Sequence, residues 1–160
     1  MALGAAPTRA AERCDMKIQR INHIGINVRD LGAAKAFFTD LGLEVVAEGA
    51  MEGALLERIV ALEGAKTEFA MLRTPDGDAM IELVMYLSPE DAGPVEQHAA
   101  NSLGIRHIAF VVDDIDAAVA RLRGGGAEPF SEVQQFENGF KLCYIRGPEG
   151  MIIELAEVSA

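Results

Sequence analysis

The sequence is poor in basic residues and in long apolar runs, and each shortage excludes a class of protein. Its 160 residues include 14 Lys and Arg against 25 Asp and Glu, which gives a formal net charge of −11. Binding to a phosphate backbone depends on clustered basic side chains, so we expect no nucleic-acid partner. No apolar run approaches the length that crosses a bilayer, and residues 1–15 lack the hydrophobic stretch of a secretory signal. We therefore expect a cytoplasmic protein that does not bind membranes.

Cysteine is also scarce, because the chain has only two. Cys14 lies in a predicted flexible leader, residues 1–17, and Cys143 lies in a predicted strand. Two such cysteines make no disulfide framework, and we expect both to be reduced. No helix N-terminus or basic neighbour is evident beside Cys143 that would lower its pKa. We therefore interpret it as a small core residue rather than a nucleophile.

What the sequence does contain is an internal duplication. Residues 21–31 recur as residues 105–115, with a histidine and an aspartate seven positions apart in each copy. Residues 73–83 and 146–155 also correspond, because each has an Arg-x-Pro-x-Gly turn followed by Ile-Glu-Leu. Each half of the chain therefore carries one histidine and one glutamate at equivalent positions. These four residues are His23, Glu82, His107 and Glu154.

Hydrophobic periodicity predicts the same order of helices and strands in both halves of the chain. In the first module, residues 18–87, a helix over 31–41 follows the N-cap Asp30 and ends at Gly42. Its predicted strands are 21–28, 43–48, 67–73 and 79–86. Residues 49–63 fit either a short helix followed by a strand or an irregular excursion.

A linker rich in proline and glycine, residues 88–103, precedes the second module, residues 104–160. Asp114 caps a predicted helix over 115–123 there. The predicted strands of this module are 105–112, 128–135, 140–146 and 151–158. Each module is thus a strand, a helix and three strands, and neither can cover both faces of its sheet. We expect the two sheets to associate around a shared space in one α+β domain.

Strand alternation places the duplicated residues opposite the apolar faces. His23 shares a strand face with Gly25, and His107 shares one with Ala109, so a very small residue stands beside each histidine. A single strand histidine is more often a hydrogen-bonded bystander than a ligand. Two of the three histidines, however, occupy the same position of the duplication, whereas His98 has no counterpart and is interpreted as a surface residue. Nitrogen and oxygen donors of this kind favour a divalent cation.

Three segments carry a family resemblance. They are residues 23–31 (HIGINVRDL), residues 37–43 (FFTDLGL) and residues 147–155 (GPEGMIIEL). In combination they resemble the vicinal oxygen chelate superfamily, which includes glyoxalase I, methylmalonyl-CoA epimerase, extradiol dioxygenases and the fosfomycin- and bleomycin-resistance proteins. The resemblance covers residues 20–158. It implies two tandem βαβββ modules that form a curved, barrel-like mixed sheet with a central cavity.

The resemblance also implies a metal, a small-molecule substrate and a homodimer. The metal ligands that it implies are His23, Glu82, His107 and Glu154. The ion is divalent, and Zn, Ni, Co, Mn and Fe all remain open. Members of the superfamily that only bind antibiotics generally lack such a ligand set, which favours an enzyme.

The activity implied is that of a glyoxalase-like lyase or isomerase that stabilises an enediolate-type oxyanion of a small oxygenated metabolite. Glu154 or Glu82 takes the substrate proton if a ligand glutamate acts as base, as in glyoxalase I. Glu48 or Glu52 takes it if a separate carboxylate acts, as in the epimerases, although residues 48–55 depart from the epimerase pattern. The alternatives are a ring-cleaving or other Fe(II) dioxygenase and a non-catalytic antibiotic-binding protein. Side chains that could line an apolar pocket are Phe69, Met71, Phe136, Phe140 and Tyr144.

Overall fold

The computed structural model describes residues 19–128 and 130–158. The predicted leader, with Cys14, lies outside the described residues. The elements are β1 (Ile24–Asn27), α1 (Leu31–Leu41), β2 (Glu44–Glu52), α2 (Ala54–Val60), β3 (Lys66–Arg73), β4 (Met80–Ser88), β5 (His107–Val111), α3 (Ile115–Gly124), β6 (Gln134–Gln135), β7 (Lys141–Arg146) and β8 (Ile152–Glu157), with a 3₁₀ turn at Pro148–Gly150.

The two long helices begin and end where the sequence indicates. The Asp30 carboxylate accepts a hydrogen bond of 2.8 Å from the Ala33 N–H at the start of α1, and Asp114 accepts one of 2.9 Å from Ala117 in α3. Gly42 ends α1 with φ at +114°, a left-handed conformation that glycine adopts without steric cost. Caps and stops act locally, so the sequence alone identifies them.

The strands form two four-stranded mixed sheets of identical topology. The strand order is β1-β4-β3-β2 in the first sheet and β5-β8-β7-β6 in the second. β1 and β5 each pair in parallel with the last strand of their own module, and the other pairings are antiparallel. This confirms the predicted α+β fold of two repeated modules. The two sheets are not closed into a barrel, because β1 and β5 have no second partner strand in the described chain.

Two segments differ from the predicted boundaries. β2 continues to Glu52 and is followed by the short helix α2, so the ambiguous region 49–63 contains a strand end and a helix. In the second module the predicted strand 128–135 is reduced to β6. The N–H groups of Phe130 and Ser131 both donate to the Tyr144 carbonyl, so this stretch follows β7 without a regular ladder.

A single hydrophobic core joins the two modules. α1 contacts α3, and the helix-bearing faces of both sheets contribute to this core. Phe38 of α1 is fully buried, with its ring centroid 5.2 Å from that of Phe37 and 6.3 Å from that of Phe110 in the second module. The Glu149 carboxylate accepts a 2.7 Å hydrogen bond from the Arg29 N–H and forms a further contact between the modules. The other face of each sheet, here called the open face, therefore turns away from the shared core.

Within residues 19–128 and 130–158, no helix has both the length and the apolar character that a membrane span requires.

Candidate metal centre

Each module brings its own histidine and glutamate together. In the first sheet the parallel pairing of β1 with β4 places Gly25 opposite Glu82, and His23 stands immediately before β1. Its Nε2 atom lies 3.2 Å from Oε2 of Glu82. The second module repeats this arrangement, with 3.4 Å between Nε2 of His107 and Oε2 of Glu154. The duplication in the sequence is therefore a duplication of geometry.

Both pairs lie on the open faces, as strand alternation predicts. The His23 and Glu82 side chains are 37% and 30% exposed, and those of His107 and Glu154 are 43% and 17% exposed. A Cβ built on Gly25 would lie 3.9 Å from Glu82 Oε2, which is ordinary contact distance. A small residue at that position leaves space for the glutamate, and the second module has alanine there.

The spacing within each pair suits two donors to one ion. Donors that each lie about 2.1 Å from a metal are separated by about 3.0 Å at a right angle and by about 3.4 Å at the tetrahedral angle. The observed separations of 3.2 and 3.4 Å lie at or within these limits. Imidazole nitrogen and carboxylate oxygen also suit divalent transition metals. The residues present thus fit a divalent cation.

One chain does not bring all four residues to one point. Among the residues that the structure describes, no group of three or more His, Cys, Asp or Glu side chains is placed to hold a metal ion. The physical reason is the core: the helices and inner faces of both sheets pack together, so the two open faces point away from it. A single chain therefore presents two separate pairs of candidate ligands, here called half-sites: His23 with Glu82, and His107 with Glu154.

The two histidines differ in their second contact. Nδ1 of His23 lies 2.8 Å from the amide oxygen of Asn22. When Nδ1 carries the proton and donates it to that oxygen, Nε2 is left as the acceptor that faces Glu82. The ring of His107 instead packs beside Tyr144, with centroids 5.5 Å apart and planes inclined by 31°. Asn22 was not singled out from the sequence, and its only signal there is its position directly before a duplicated histidine.

The glutamates of β2 lie apart from these pairs. Glu48 is opposite Ala70, which is fully buried on the helix side of the sheet, and its carboxylate pairs with the Lys35 ammonium of α1. Paired residues of an antiparallel ladder point to the same face, so Glu48 is on the opposite face from Glu82. Glu52 forms an ion pair of 2.9 Å with Lys66 at the end of the same ladder. The structure does not bring either carboxylate to a half-site.

Of the side chains predicted to line an apolar pocket, two are direct cross-strand neighbours of the candidate glutamates and three have other contacts. Met71 is the direct cross-strand neighbour of Glu82, and Tyr144 is that of Glu154. Phe69 covers Gly49, where a Cβ would lie 2.9 Å from the ring. The rings of Phe136 and Phe140 contact each other at a tilt of 52°, with centroids 5.7 Å apart.

Neither His98 nor Cys143 belongs to the two His–Glu pairs. His98 is exposed and lies 3.3 Å from Glu96, two residues before it in the chain. Cys143 is buried in the core, and burial raises the pKa of its thiol. A buried, protonated thiol is a poor nucleophile.

Comparisons with known proteins agree with this architecture. The family model of the Glyoxalase/Bleomycin resistance protein/Dioxygenase superfamily matches residues 20–155. Among curated proteins, the chain is 32% identical to the uncharacterized protein YwbC of Bacillus subtilis, over 85% of this chain and 95% of that protein. It is 28% identical to the uncharacterized protein YaeR of Escherichia coli, over 88% of this chain and 97% of that protein.

Solved structures show the same fold. A glyoxalase family protein from Bacillus cereus superposes with a TM-score of 0.86 at 40% identity, over 90% of this chain and 97% of that one. Glyoxalase I of Leishmania major superposes with a TM-score of 0.62 at 23% identity, over 88% and 87% of the two chains. The resemblance to the vicinal oxygen chelate superfamily is thereby confirmed. The chain belongs to the Glyoxalase/Bleomycin resistance protein/Dioxygenase superfamily.

Proposed function

We propose that this protein is a divalent-metal-dependent lyase or isomerase of the glyoxalase type that acts on a small oxygenated metabolite in the cytoplasm. The observation that carries the proposal is the repeated pairing of a histidine nitrogen and a glutamate oxygen, at 3.2 and 3.4 Å, on the open faces of two equivalent sheets. The superfamily includes metalloenzymes, and the four donors are those that the family resemblance implies as metal ligands.

We infer that the complete site forms between two copies of the chain. β1 and β5 are edge strands, and each half-site lies at such an edge. Ile21 and Ile105, at equivalent positions two residues before the histidines, are 76% and 81% exposed, and Val111 on β5 is 73% exposed. Exposed apolar side chains of this kind mark interaction surfaces. In a two-fold dimer, the β1 edge of each copy meets the β5 edge of the other, which gives two identical sites.

The chemistry follows from the donor set. A bound divalent ion would polarise neighbouring oxygens of the substrate and stabilise the negative charge that develops when an adjacent C–H bond is broken. Two neutral imidazoles and two carboxylates leave the occupied site near neutral. Glu82 or Glu154 then accepts the substrate proton and returns it to a neighbouring carbon or oxygen.

A subunit-mixing experiment tests the shared site. His23→Ala removes a donor from one half-site, and His107→Ala removes a donor from the other. A mixed dimer of the two variants contains one site with all four ligands and one that lacks both histidines. We expect each variant alone to bind metal weakly, whereas unfolding and refolding them together restores tight binding in the mixed dimers, at one ion per dimer. Elemental analysis and competition with a chelator measure this.

The possible results separate the two parts of the proposal. A wild-type protein that holds no stoichiometric metal contradicts the metal-dependent function. Tight metal binding by the wild type, without recovery in the mixture, contradicts only the intersubunit site. The proton-transfer step is checked by NMR in D₂O with α-hydroxy ketones and hemithioacetals of 2-oxoaldehydes. We expect deuterium to enter at the carbon next to the carbonyl with wild type, and not with Glu82→Gln combined with Glu154→Gln.

A further inference from the structure

Arg146 lies on the open face of the second sheet, in line with His107. Ile152 of β8 pairs with His107 on one side and with Arg146 of β7 on the other. Residues paired across a ladder project to the same face, whereas Cys143 and Ile145 of β7 point into the core. Two strand spacings, about 10 Å, therefore separate the backbone of a candidate metal ligand from that of an arginine on one surface.

The strand between these two side chains gives the open face an apolar floor. Ile152 is only 3% exposed, although it does not belong to the core cluster that joins the modules. Ala156, further along the same face of β8, is 6% exposed and also lies outside that cluster. The middle of this face is therefore shielded from water, which strengthens the attraction between charges placed on it.

The Arg146 guanidinium is held in place by two contacts. It covers the Phe130 ring at 4.2 Å, and its Nη1 atom donates a 2.9 Å hydrogen bond to the Gly150 carbonyl. The Phe130 ring is itself stacked on the Tyr144 ring, with centroids 6.2 Å apart and planes inclined by 30°. The guanidinium group is thus preorganised, which lowers the entropy that is lost when it binds an oxyanion.

Most donors of this guanidinium have no protein acceptor. An arginine side chain has five N–H donors, and the Gly150 carbonyl is the one acceptor that the Arg146 side chain reaches among the described residues. None of the ion pairs within residues 19–128 and 130–158 involves Arg146. Arg73, the equivalent residue of the first module, instead forms an ion pair of 3.5 Å with Glu44 of the neighbouring strand. The duplication has kept both arginines and left Arg146 available for a ligand.

The position of Arg146 favours a substrate with two different ends. Arginine binds carboxylates and phosphates through parallel hydrogen bonds, and Arg146 is the only Lys or Arg at an open-face position of β5, β7 and β8. We propose that Arg146 binds an anionic group, a carboxylate or a phosphate, at the end of the substrate remote from the metal. The inference rests on the proposed function and names its substrate class: a compound with two vicinal oxygens and an anionic group within about 10 Å of them.

Ligands that differ only at the remote end test this inference on the metal-loaded protein. The probes are the monohydroxamate of succinic acid, its neutral terminal amide and 3-phosphonopropanohydroxamate. Each offers two vicinal oxygens to a metal and has no hydroxy ketone to turn over. We expect Arg146→Gln to weaken the binding of at least one anionic probe by about 10- to 100-fold, since a hydrogen bond to a charged group is lost, and to leave binding of the amide unchanged. Isothermal titration calorimetry measures the affinities, and the anion with the larger loss identifies a carboxylate or a phosphate.

Matched variants separate anion binding from a structural role. Arg73→Gln, at the equivalent ion-paired position of the first module, should keep the wild-type preference for the anionic probes. Arg146→Lys keeps the charge without the planar fork and should recover part of the affinity that Arg146→Gln loses. Metal affinity, measured by chelator competition, should be the same in Arg146→Gln as in the wild type. If Arg146→Gln weakens the amide as much as the anions, or weakens none of the three probes, the inference is overturned.

A second readout needs no metal and distinguishes this inference from the proposed function. In the metal-free protein labelled with ¹⁵N, the Nε–H signal of Arg146 is identified by its loss in Arg146→Gln. We expect acetate or inorganic phosphate to shift this signal in a saturable way and to move the Arg73 signal much less. If the wild type holds no metal, the proposed function fails, and an Arg146 signal that neither anion moves then overturns this inference as well.

Discussion

His23 and Glu82 come from different strands, and their Nε2 and Oε2 atoms lie 3.2 Å apart on the open face of the first sheet. A contact of this kind between partly exposed side chains contributes little to stability, about 0–1 kcal/mol. Its repetition at 3.4 Å in the second module is therefore not explained by folding. It is this repetition that supports the metal centre proposed above.

The first prediction concerns which carboxylates bind metal. We expect Glu82→Gln and Glu154→Gln each to weaken metal binding by more than about 100-fold, because a ligand should matter at least as much as a residue that supports one. The matched control is Glu96→Gln. Glu96 also lies close to a histidine, His98 at 3.3 Å, but that pair has no duplicated partner. Isothermal titration calorimetry with zinc or nickel measures the affinities, and a comparable loss in Glu96→Gln would show that the effect is not specific to the half-sites.

The second prediction concerns the core that joins the modules. Phe38 is fully buried and lies close to Phe37 and Phe110. We expect Phe38→Ala to lower the free energy of unfolding by about 3–5 kcal/mol, since it removes a large apolar side chain and leaves a cavity. Phe136→Ala is the control, because Phe136 is 51% exposed and should lose far less. Urea denaturation gives both values, and equal losses would contradict the assignment of Phe38 to the core.

The third prediction concerns the helix caps. Asp30→Ala and Asp114→Ala each remove a side-chain acceptor from the first turn of a helix. We expect each to cost about 1 kcal/mol in the free energy of unfolding. Asp113→Ala changes the residue beside the second cap, which is exposed, and should stay within about 0.5 kcal/mol of wild type. Thermal unfolding at constant pH compares the three variants, and an equal effect of Asp113→Ala would rule out capping as the cause.

The fourth prediction concerns pH. Glu157 accepts 2.9 Å hydrogen bonds from the Ile115 N–H and from Lys141, and these lower its pKa below the ordinary value of 4.5, the backbone bond having the larger effect. A carboxyl group with a lowered pKa stabilises the fold above its unfolded pKa, and this contribution is lost as the pH falls through the folded value. The difference in unfolding free energy between wild type and Glu157→Gln should therefore be constant near neutral pH and shrink below about pH 4.5.

Lys141→Met separates the two causes of that shift. It removes the ammonium group and keeps the hydrogen bond from Ile115. We expect Glu157→Gln to have a smaller but still pH-dependent effect in the Lys141→Met background. Urea denaturation between pH 3 and 7 measures both series, and a pH-independent difference would contradict the assignment to Glu157.

Much of the fold could be predicted because its signals are local. Asp30 and Gly42 delimit α1, and alternation along β1 correctly placed His23 opposite the buried Val28. The stretch before β6 is extended and follows β7 without a regular ladder, and no local sequence signal distinguishes it from a strand. For this reason the predicted strand 128–135 proved to be a two-residue strand, β6.

The site was predicted less completely. Alternation along one strand shows which side chains share a face, but the pairing of strands decides which face that is and which residues lie opposite. Glu48 was a reasonable candidate base from its position in the chain, yet its register with Ala70 directs it to Lys35 on the helix side. Tyr144 was expected as one of several pocket residues. Its selective position opposite Glu154 follows from the pairing of β7 with β8.

The sequence by itself determined the repeated module, the helix limits and the four candidate ligands. Helix caps and strand alternation depend on residues close together in the chain, and the duplication is visible when the two halves are compared. Only the tertiary structure decided that these ligands form two separate half-sites in one chain. The reason is the core: α1 packs against α3, and the inner faces of both sheets join one hydrophobic cluster, which leaves His23 and His107 outside it in separate pairs.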